Sequence, residues 1–134
     1  MAQDNASIRL ALQQRLTTVP GLPAVYWTDV GLTPDPLTPY ILATFLVQSK
    51  KPIDNLFVLM RGALQLDVRY PIATPDAAET MAATIEAAFP STGVIQVTLS
   101  DGRTNIDYCE AKNGIPDSPF WKVPVLIGWS QYKS

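Results

Sequence analysis

The clearest periodicity in the chain lies between Arg61 and Pro90. Leu64, Leu66, Val68 and Tyr70 alternate with Ala63, Gln65, Asp67 and Arg69, the period of a strand with one buried face. After Ile72 and Ala73 the period changes. Thr74 stands where a helix N-cap is expected and Pro75 at the first helical position. Asp76 and Glu79 bring negative charge to the positive end of the helix. Met81, Ala82, Ile85, Ala88 and Phe89 fall on one stripe, and Pro90 stops the helix.

The same reading extends to both ends. Asp4 or Asn5 can cap a first helix that runs to about Thr17. Ile8, Ala11, Leu12 and Leu16 form its apolar stripe, while Gln13, Gln14 and Arg15 are expected to face water. The segment Val19-Pro20-Gly21-Leu22-Pro23 ends it. Residues 24–27 read as a short strand and 28–38 as an ordered loop. Residues 39–48 read as a strand apolar on both faces, with Ile41, Ala43, Phe45 and Val47 on one and Tyr40, Leu42 and Leu46 on the other. Such a strand is expected to be covered twice. A polar turn follows over 49–55, then an apolar stretch over 56–60 that suits a strand edge.

Asp101-Gly102 predicts a two-residue hairpin turn. The register then sets Leu99 opposite Thr104, Thr98 opposite Asn105, Val97 opposite Ile106, Gln96 opposite Asp107, Ile95 opposite Tyr108 and Val94 opposite Cys109. Mostly apolar positions meet mostly apolar ones, and polar meet polar. A loop over 111–119 leads to a last strand over 120–132, with Trp121, Val123, Val125, Ile127 and Trp129 on one face. Pro124 has no N–H donor and is expected at an edge or bulge. The order of elements predicts an α+β domain, with a mainly antiparallel sheet packed against two α-helices and a C-terminal β-hairpin and strand.

Composition adds bounds. The 134 residues make a single domain over 1–134, with a core large enough to need no disulfide or metal. Only 16% of the residues are charged and 47% are apolar, which excludes a disordered tail. Ten basic and twelve acidic residues are interspersed, so no basic stripe exists to neutralise a phosphate backbone. The single cysteine, Cys109, cannot form an internal disulfide and fits a reducing compartment. The N-terminal residues lack the basic and apolar regions of a signal peptide, and no apolar run is long enough to span a membrane. A soluble protein made in a cytoplasm is expected.

Candidate chemistry is sparse. With no histidine, Ser-His-Asp triads, Cys-His dyads and His-based metal sites are all ruled out. Phosphate-binding glycine loops and zinc spacings are missing. No cofactor, metal or catalytic residue is assigned. Asp101, Asp107 and Glu110 lie close together in sequence, but their spacing around a hairpin suits a solvated edge better than a carboxylate pair. Cys109 is better explained by packing than by nucleophilic chemistry. Lys50, Lys51 and Arg61 bracket one predicted loop and are the candidate partner contacts, against the alternative of an ordinary solvated loop. Trp27, Trp121 and Trp129 are candidates for interface anchors, although periodicity favours the core for Trp121 and Trp129.

The arrangement resembles that of the tail terminators and tail-completion proteins of long-tailed, lambda-type bacteriophages. The resemblance is carried by Ile8-Arg9-Leu10-Ala11-Leu12 with Leu16, by Pro23-Ala24-Val25-Tyr26-Trp27 and by Tyr40-Ile41-Leu42-Ala43-Thr44-Phe45. It continues through Arg61-Gly62-Ala63-Leu64-Gln65-Leu66-Asp67-Val68, the helix ending in Ala87-Ala88-Phe89-Pro90, and the last three strands. It implies a non-enzymatic structural protein of the virion tail, found in the host cytoplasm during assembly. Such a protein would form a homo-oligomeric ring, typically a hexamer, on the end of the tail tube. It would contact the tail tube protein and the head–tail connector, with no membrane and with DNA only passing through. A head–tail joining protein would share the same composition and fold class. A small-molecule-binding or hydrolytic α+β domain is the alternative from another class; it would need a deep polar pocket, and convergence of Asp101, Asp107, Glu110 and Cys109 would favour it.

Overall fold

The computed structural model describes residues 2–27, 38–52, 58–89, 91–92, 95–96, 98–99 and 104–133. Among them are two helices, α1 (Ala2–Leu16) and α2 (Pro75–Ala88). The strands are β1 (Ala24–Trp27), β2 (Tyr40–Pro52), β3 (Val58–Pro71), β4 (Ser91–Thr92), β5 (Ile95–Gln96), β6 (Thr104–Ala111), β7 (Ile115–Asp117) and β8 (Phe120–Lys133). Six strands form one sheet in the order β1-β2-β3-β8-β6, with β7 also paired to β8. Every pair is antiparallel except β1 with β2. The α+β class expected from the periodicities is the observed one.

Register explains which residues form the core. Leu64, Leu66 and Val68 of β3 lie opposite Phe45, Ala43 and Ile41 of β2 on one side. On the other they lie opposite Ile127, Val125 and Val123 of β8. Both helices pack on this face. Ile8, Ala11, Leu12 and Leu16 of α1 are buried, and so are Ala78, Met81, Ala82 and Ile85 of α2. Each helix therefore buries the stripe that its sequence period marks. The Arg9 guanidinium lies over the Trp27 and Phe45 rings, which sets α1 on the β1–β2 side. Helix α2 packs against β3, β8 and β6, and the Glu86 carboxylate accepts a 2.8 Å bond from the Ala111 N–H of β6. The helices are tied together where Arg15 Nε donates to the Ala88 carbonyl at 2.8 Å. A cation at the C-terminal end of α2 also suits the helix dipole. Arg15 is thus half-buried and engaged, not directed at water as its place in α1 suggested.

Two glycines make close packing possible. A Cβ at Gly62 would collide with the Leu46 carbonyl and the Trp129 ring. Its absence lets the Trp129 indole cross β3 and stack on Phe45 of β2, with centroids 5.6 Å apart and planes at 12°. On the opposite face the Tyr108 ring lies against Gly128 in the same way.

Several expectations need correction. Helix α1 starts at Ala2, so Asp4 and Asn5 lie within its first turn and do not cap it. Alanine and glutamine extend a helix at little cost, and an acidic first turn suits the dipole. Thr74 holds the N-cap position, but its side chain makes no capping bond. Its hydroxyl donates instead to the Pro71 carbonyl at 2.9 Å. The turn predicted over 49–55 is strand through Pro52: Ser49 pairs with Arg61, Lys50 with Met60, Lys51 with Leu59 and Pro52 with Val58, after a register shift between Val47 and Ser49. Residues 53–57 lie outside the described residues. Backbone pairing along β3 overrides the polar side chains here, since ladder bonds do not depend on side-chain polarity.

The predicted hairpin is observed only beside its turn. Thr98 bridges Asn105, the pairing that the Asp-Gly turn predicts, and the Leu99 N–H donates to the Thr104 carbonyl at 2.8 Å, a bond that a two-residue turn would not place at this pair. The turn itself and Val97 lie outside the described residues. Ile95 and Gln96 pair with Thr92 and Ser91, so the expected pairings of Ile95 with Tyr108 and Gln96 with Asp107 are not the ladder that forms. The loop predicted over 111–119 contains β7, which pairs with the start of β8. Pro124 sits inside a central strand, opposite Asp67 of β3. Its carbonyl accepts from the Lys112 N–H at 2.8 Å, between the end of the β6 ladder and the start of the β7 ladder. The N and C=O of one strand residue point to the same edge. The missing donor of Pro124 therefore faces a junction where no strand residue needs it.

Candidate interaction surface

The sheet face away from the helices carries Tyr26, Tyr40, Leu42, Thr44, Leu46, Arg61, Ala63, Gln65, Asp67 and Arg69, in strict alternation with the core-facing residues. Across β8 the same face holds Phe120, Lys122, Pro124, Leu126, Gly128 and Ser130. Among the described residues no helix or second sheet packs on it. The expectation that residues 39–48 are covered twice within one chain fails here: Leu42 is half-buried and Leu46 is 41% exposed. The apolar character of that second face therefore has no partner within the described chain.

Its two ends differ. At the start of β2, Tyr40 makes edge-on contacts with Tyr26 (6.1 Å) and Phe120 (5.3 Å). The Arg69 guanidinium lies 5.9 Å above the Tyr40 ring and pairs with Asp117 of β7 at 2.8 Å. This knot of three rings and an ion pair buries Tyr40 and Phe120 without a covering layer. At the far end lie Arg61, which is exposed, and Ser130, whose hydroxyl donates to Asp107 at 2.9 Å. In the middle, Asp67 is buried and accepts from Gln65 Nε2 at 3.3 Å.

The three candidate contact residues meet near that far end. Arg61 lies on the open face, opposite Ser49 of β2 and Ser130 of β8. Lys50 and Lys51 are strand residues, paired with Met60 and Leu59 of β3, and not members of a loop. The ladder also brings Lys133 to the same end, since Val58 pairs with both Lys133 and Pro52. Sequence reading missed Lys133, and it missed the aromatic knot because Tyr26, Tyr40 and Phe120 come from three separate segments. Only register joins them.

Among the described residues, those that a hydrolytic site would use form no shared site. Cys109 is buried in the core opposite Ile127, and desolvation, with Glu86 and Glu110 nearby, pushes its thiol up to about 12. A thiol held neutral is a poor nucleophile. Asp107 accepts from Ser130, and Glu110 forms an ion pair with Lys112. Asp101 lies outside the described residues. Among the described residues no group of three or more His, Cys, Asp or Glu could hold a metal ion. No helix is long and apolar enough to cross a membrane. Trp129 is fully buried and Trp27 and Trp121 partly so, all in or against the core, with the indole N–H groups of Trp121 and Trp129 lacking a partner among the described residues. None of the three is an exposed anchor.

No curated protein sequence matches the chain. Several solved structures are similar to the chain, among them one that matches over 98% of this chain and 96% of its own length, at 26% identity and a TM-score of 0.68. A family model described as "Phage tail terminator protein" matches residues 7–129, from the middle of α1 to the end of the β8 core face. The chain belongs to the phage tail terminator family, whose members are structural proteins of the virion tail.

Proposed function

We propose that the chain caps the tail tube as a ring, ends tube elongation and forms the surface on which the head is joined. The observation that carries this reading is the family match over residues 7–129, together with a sheet whose second apolar face has no cover among the described residues. A ring subunit needs two different complementary surfaces, and closed symmetry makes the assembly finite. Its partners are further copies of the chain, in a ring that we take to be a hexamer, the tail tube protein and the head–tail connector. Lys50, Lys51 and Arg61 are assigned to partner contact, with DNA meeting the ring only in passage. The protein acts without catalysis and without a cofactor.

Electron microscopy of tails assembled without the protein tests this. Overlong tubes are expected. Tubes of normal length that fail to join heads would instead identify a joining protein, the runner-up, which the same fold and composition would serve.

A further inference from the structure

We propose that Asn113-Gly114 is a modification site, at which the folded chain deamidates without an enzyme and β7 is loosened as a result. The proposal is independent of the ring. Asn113 and Gly114 lie between the end of β6 at Ala111 and the start of β7 at Ile115, outside both ladders. Asn113 is exposed. Asparagine is one of the thermolabile residue types, and the reaction needs an unshielded backbone nitrogen directly after it. Glycine supplies that nitrogen, because it has no Cβ to screen it and its backbone turns freely. Packing holds the glycine in place: a Cβ at position 114 would fall 2.3 Å from Trp121 Nε1. The other asparagines are placed differently. Asn5 lies within α1 and is followed by Ala6. Asn105 lies in β6, is followed by β-branched Ile106, and its Oδ1 accepts from the Thr98 hydroxyl at 2.8 Å. Asn55 is followed by the bulky Leu56, and both lie outside the described residues.

The step balances with water alone. Hydroxide removes the Gly114 amide proton, and the nitrogen attacks Asn113 Cγ. The new N–Cγ bond forms, the Cγ–Nδ2 bond breaks, and the departing nitrogen takes a proton from water and leaves as ammonia. Water then opens the cyclic imide, with no change of oxidation state. Opening at the side-chain carbonyl gives aspartate. Opening at the main-chain carbonyl gives isoaspartate, whose main chain is longer by one carbon. Either product adds a negative charge to a chain of net charge −2, next to the Lys112 that pairs with Glu110. The longer backbone has the greater effect. The Lys112 N–H is anchored on the Pro124 carbonyl at 2.8 Å, and Ile115 is paired with Lys122, so the added carbon must be taken up between two fixed points. Strand β7 has only three residues, and it carries the Asp117 that pairs with Arg69 at 2.8 Å. Its displacement reaches the rings around Tyr40 through that pair.

Peptide mass spectrometry of the full chain, after timed incubation at mildly alkaline pH, tests the chemistry. The peptide holding residue 113 should convert to aspartate and isoaspartate forms, separated by chromatography, with ammonia released at a rate that rises with pH. Asn5, Asn55 and Asn105 should keep their amides over the same time. Exposed segments outside a ladder open at little cost, so conversion in the folded chain should be within about tenfold of that in the urea-unfolded chain. A folded chain slower than that, or another asparagine reacting first, would overturn the proposal. Asn113→Gln, verified as folded by circular dichroism, should give no product, since its longer side chain has to close a larger ring. Ammonia release from that variant at the wild-type rate would also overturn it. Thermal midpoints read the consequence. Aged wild type should melt below fresh wild type, and Asn113→Gln aged alike should not. Asn113→Asp has the charge without the added carbon and should melt as fresh wild type does. An unchanged midpoint in the aged chain, or an equal loss in Asn113→Asp, would overturn the loosening of β7.

Discussion

The two faces of one sheet are built from the same strands by the same alternation, yet they have opposite physical characters. On the helix-covered face, Ile41, Leu64, Leu66, Val68, Val125, Ile127 and Trp129 are removed from water. Each contributes roughly 1.5–3 kcal/mol of burial, and together they hold the fold. On the open face burial is patchy and depends on local devices: the Arg69–Asp117 pair, the rings around Tyr40, and the Ser130–Asp107 bond. Apolar area remains exposed at Leu46 and Tyr26. A core residue that is changed should therefore cost folding, and an open-face residue should cost contact. The difference separates what the chain needs to exist from what it needs to assemble.

The sharpest way to break this comparison is at Ile85, fully buried at the centre of the α2 stripe. Ile85→Asp would place an unpaired carboxylate in the core, at a cost of several kcal/mol against a total stability of ~5–15 kcal/mol. No soluble folded protein is expected. A cooperative thermal transition in that variant would show that the face is wrongly assigned.

A matched pair of glycines asks the same question within one experiment. Gly62 is on the covered face and Gly128 on the open face, and each accommodates an aromatic ring. At Gly62 an added Cβ meets a backbone carbonyl and the buried Trp129, neither of which can give way. Gly62→Ala should cost about 1–3 kcal/mol, as overpacking does. At Gly128 it meets the half-buried Tyr108 ring, which can swing toward solvent, so Gly128→Ala should cost roughly half as much under the same principle. Urea denaturation of both variants checks the order. Equal costs would mean that Tyr108 is held as firmly as Trp129.

Much of the covered face was legible in the sequence, and little of the open one. The stripes of α1 and α2, the alternation in β3 and the inward set of β8 follow from periods of 3.6 and 2 that burial imposes directly. The Asp-Gly pair also predicted the Thr98–Asn105 register, because turn chemistry is local. What escaped depends on pairing between distant segments. Polar residues 49–52 looked like a turn since nothing local shows that β3 supplies their backbone partners. Strand β7 was hidden in a loop for the same reason. The knot of Tyr26, Tyr40, Phe120 and Arg69 draws on four strands, and no spacing in the chain announces it. Pro124 was expected at an edge or bulge, and it in fact sits at a break between two neighbours of a central strand. Of the candidate contacts, Arg61 lies on the open face, and Lys50 and Lys51 lie in the β2 ladder and not in a loop.

Cys109 supplies a pH test of the covered face. Its thiol is pushed up to about 12 in the folded chain, from a reference of 9.0. The folded state then keeps a proton that the unfolded state releases. This contribution is fully present below pH 9 and is lost as pH rises toward 12, at up to about 1.4 kcal/mol per pH unit. Denaturation midpoints measured from pH 8 to 10.5 should fall less steeply for Cys109→Ala than for wild type. Parallel slopes would place the thiol in contact with water.

The smallest effect on folding is expected at Leu46, and it tests the open face most directly. Leu46→Asp puts a carboxylate on a side chain that is already 41% exposed, where substitutions usually change stability by less than about 0.5 kcal/mol. It removes apolar area from the open face, which a neighbouring copy would cover in the proposed ring. Urea midpoints should match wild type within that margin, while association in the ultracentrifuge weakens. The two readings are independent, so they can disagree. A variant that unfolds easily would mean that Leu46 supports its own subunit, and one that folds and associates normally would mean that the face stays bare in the assembly.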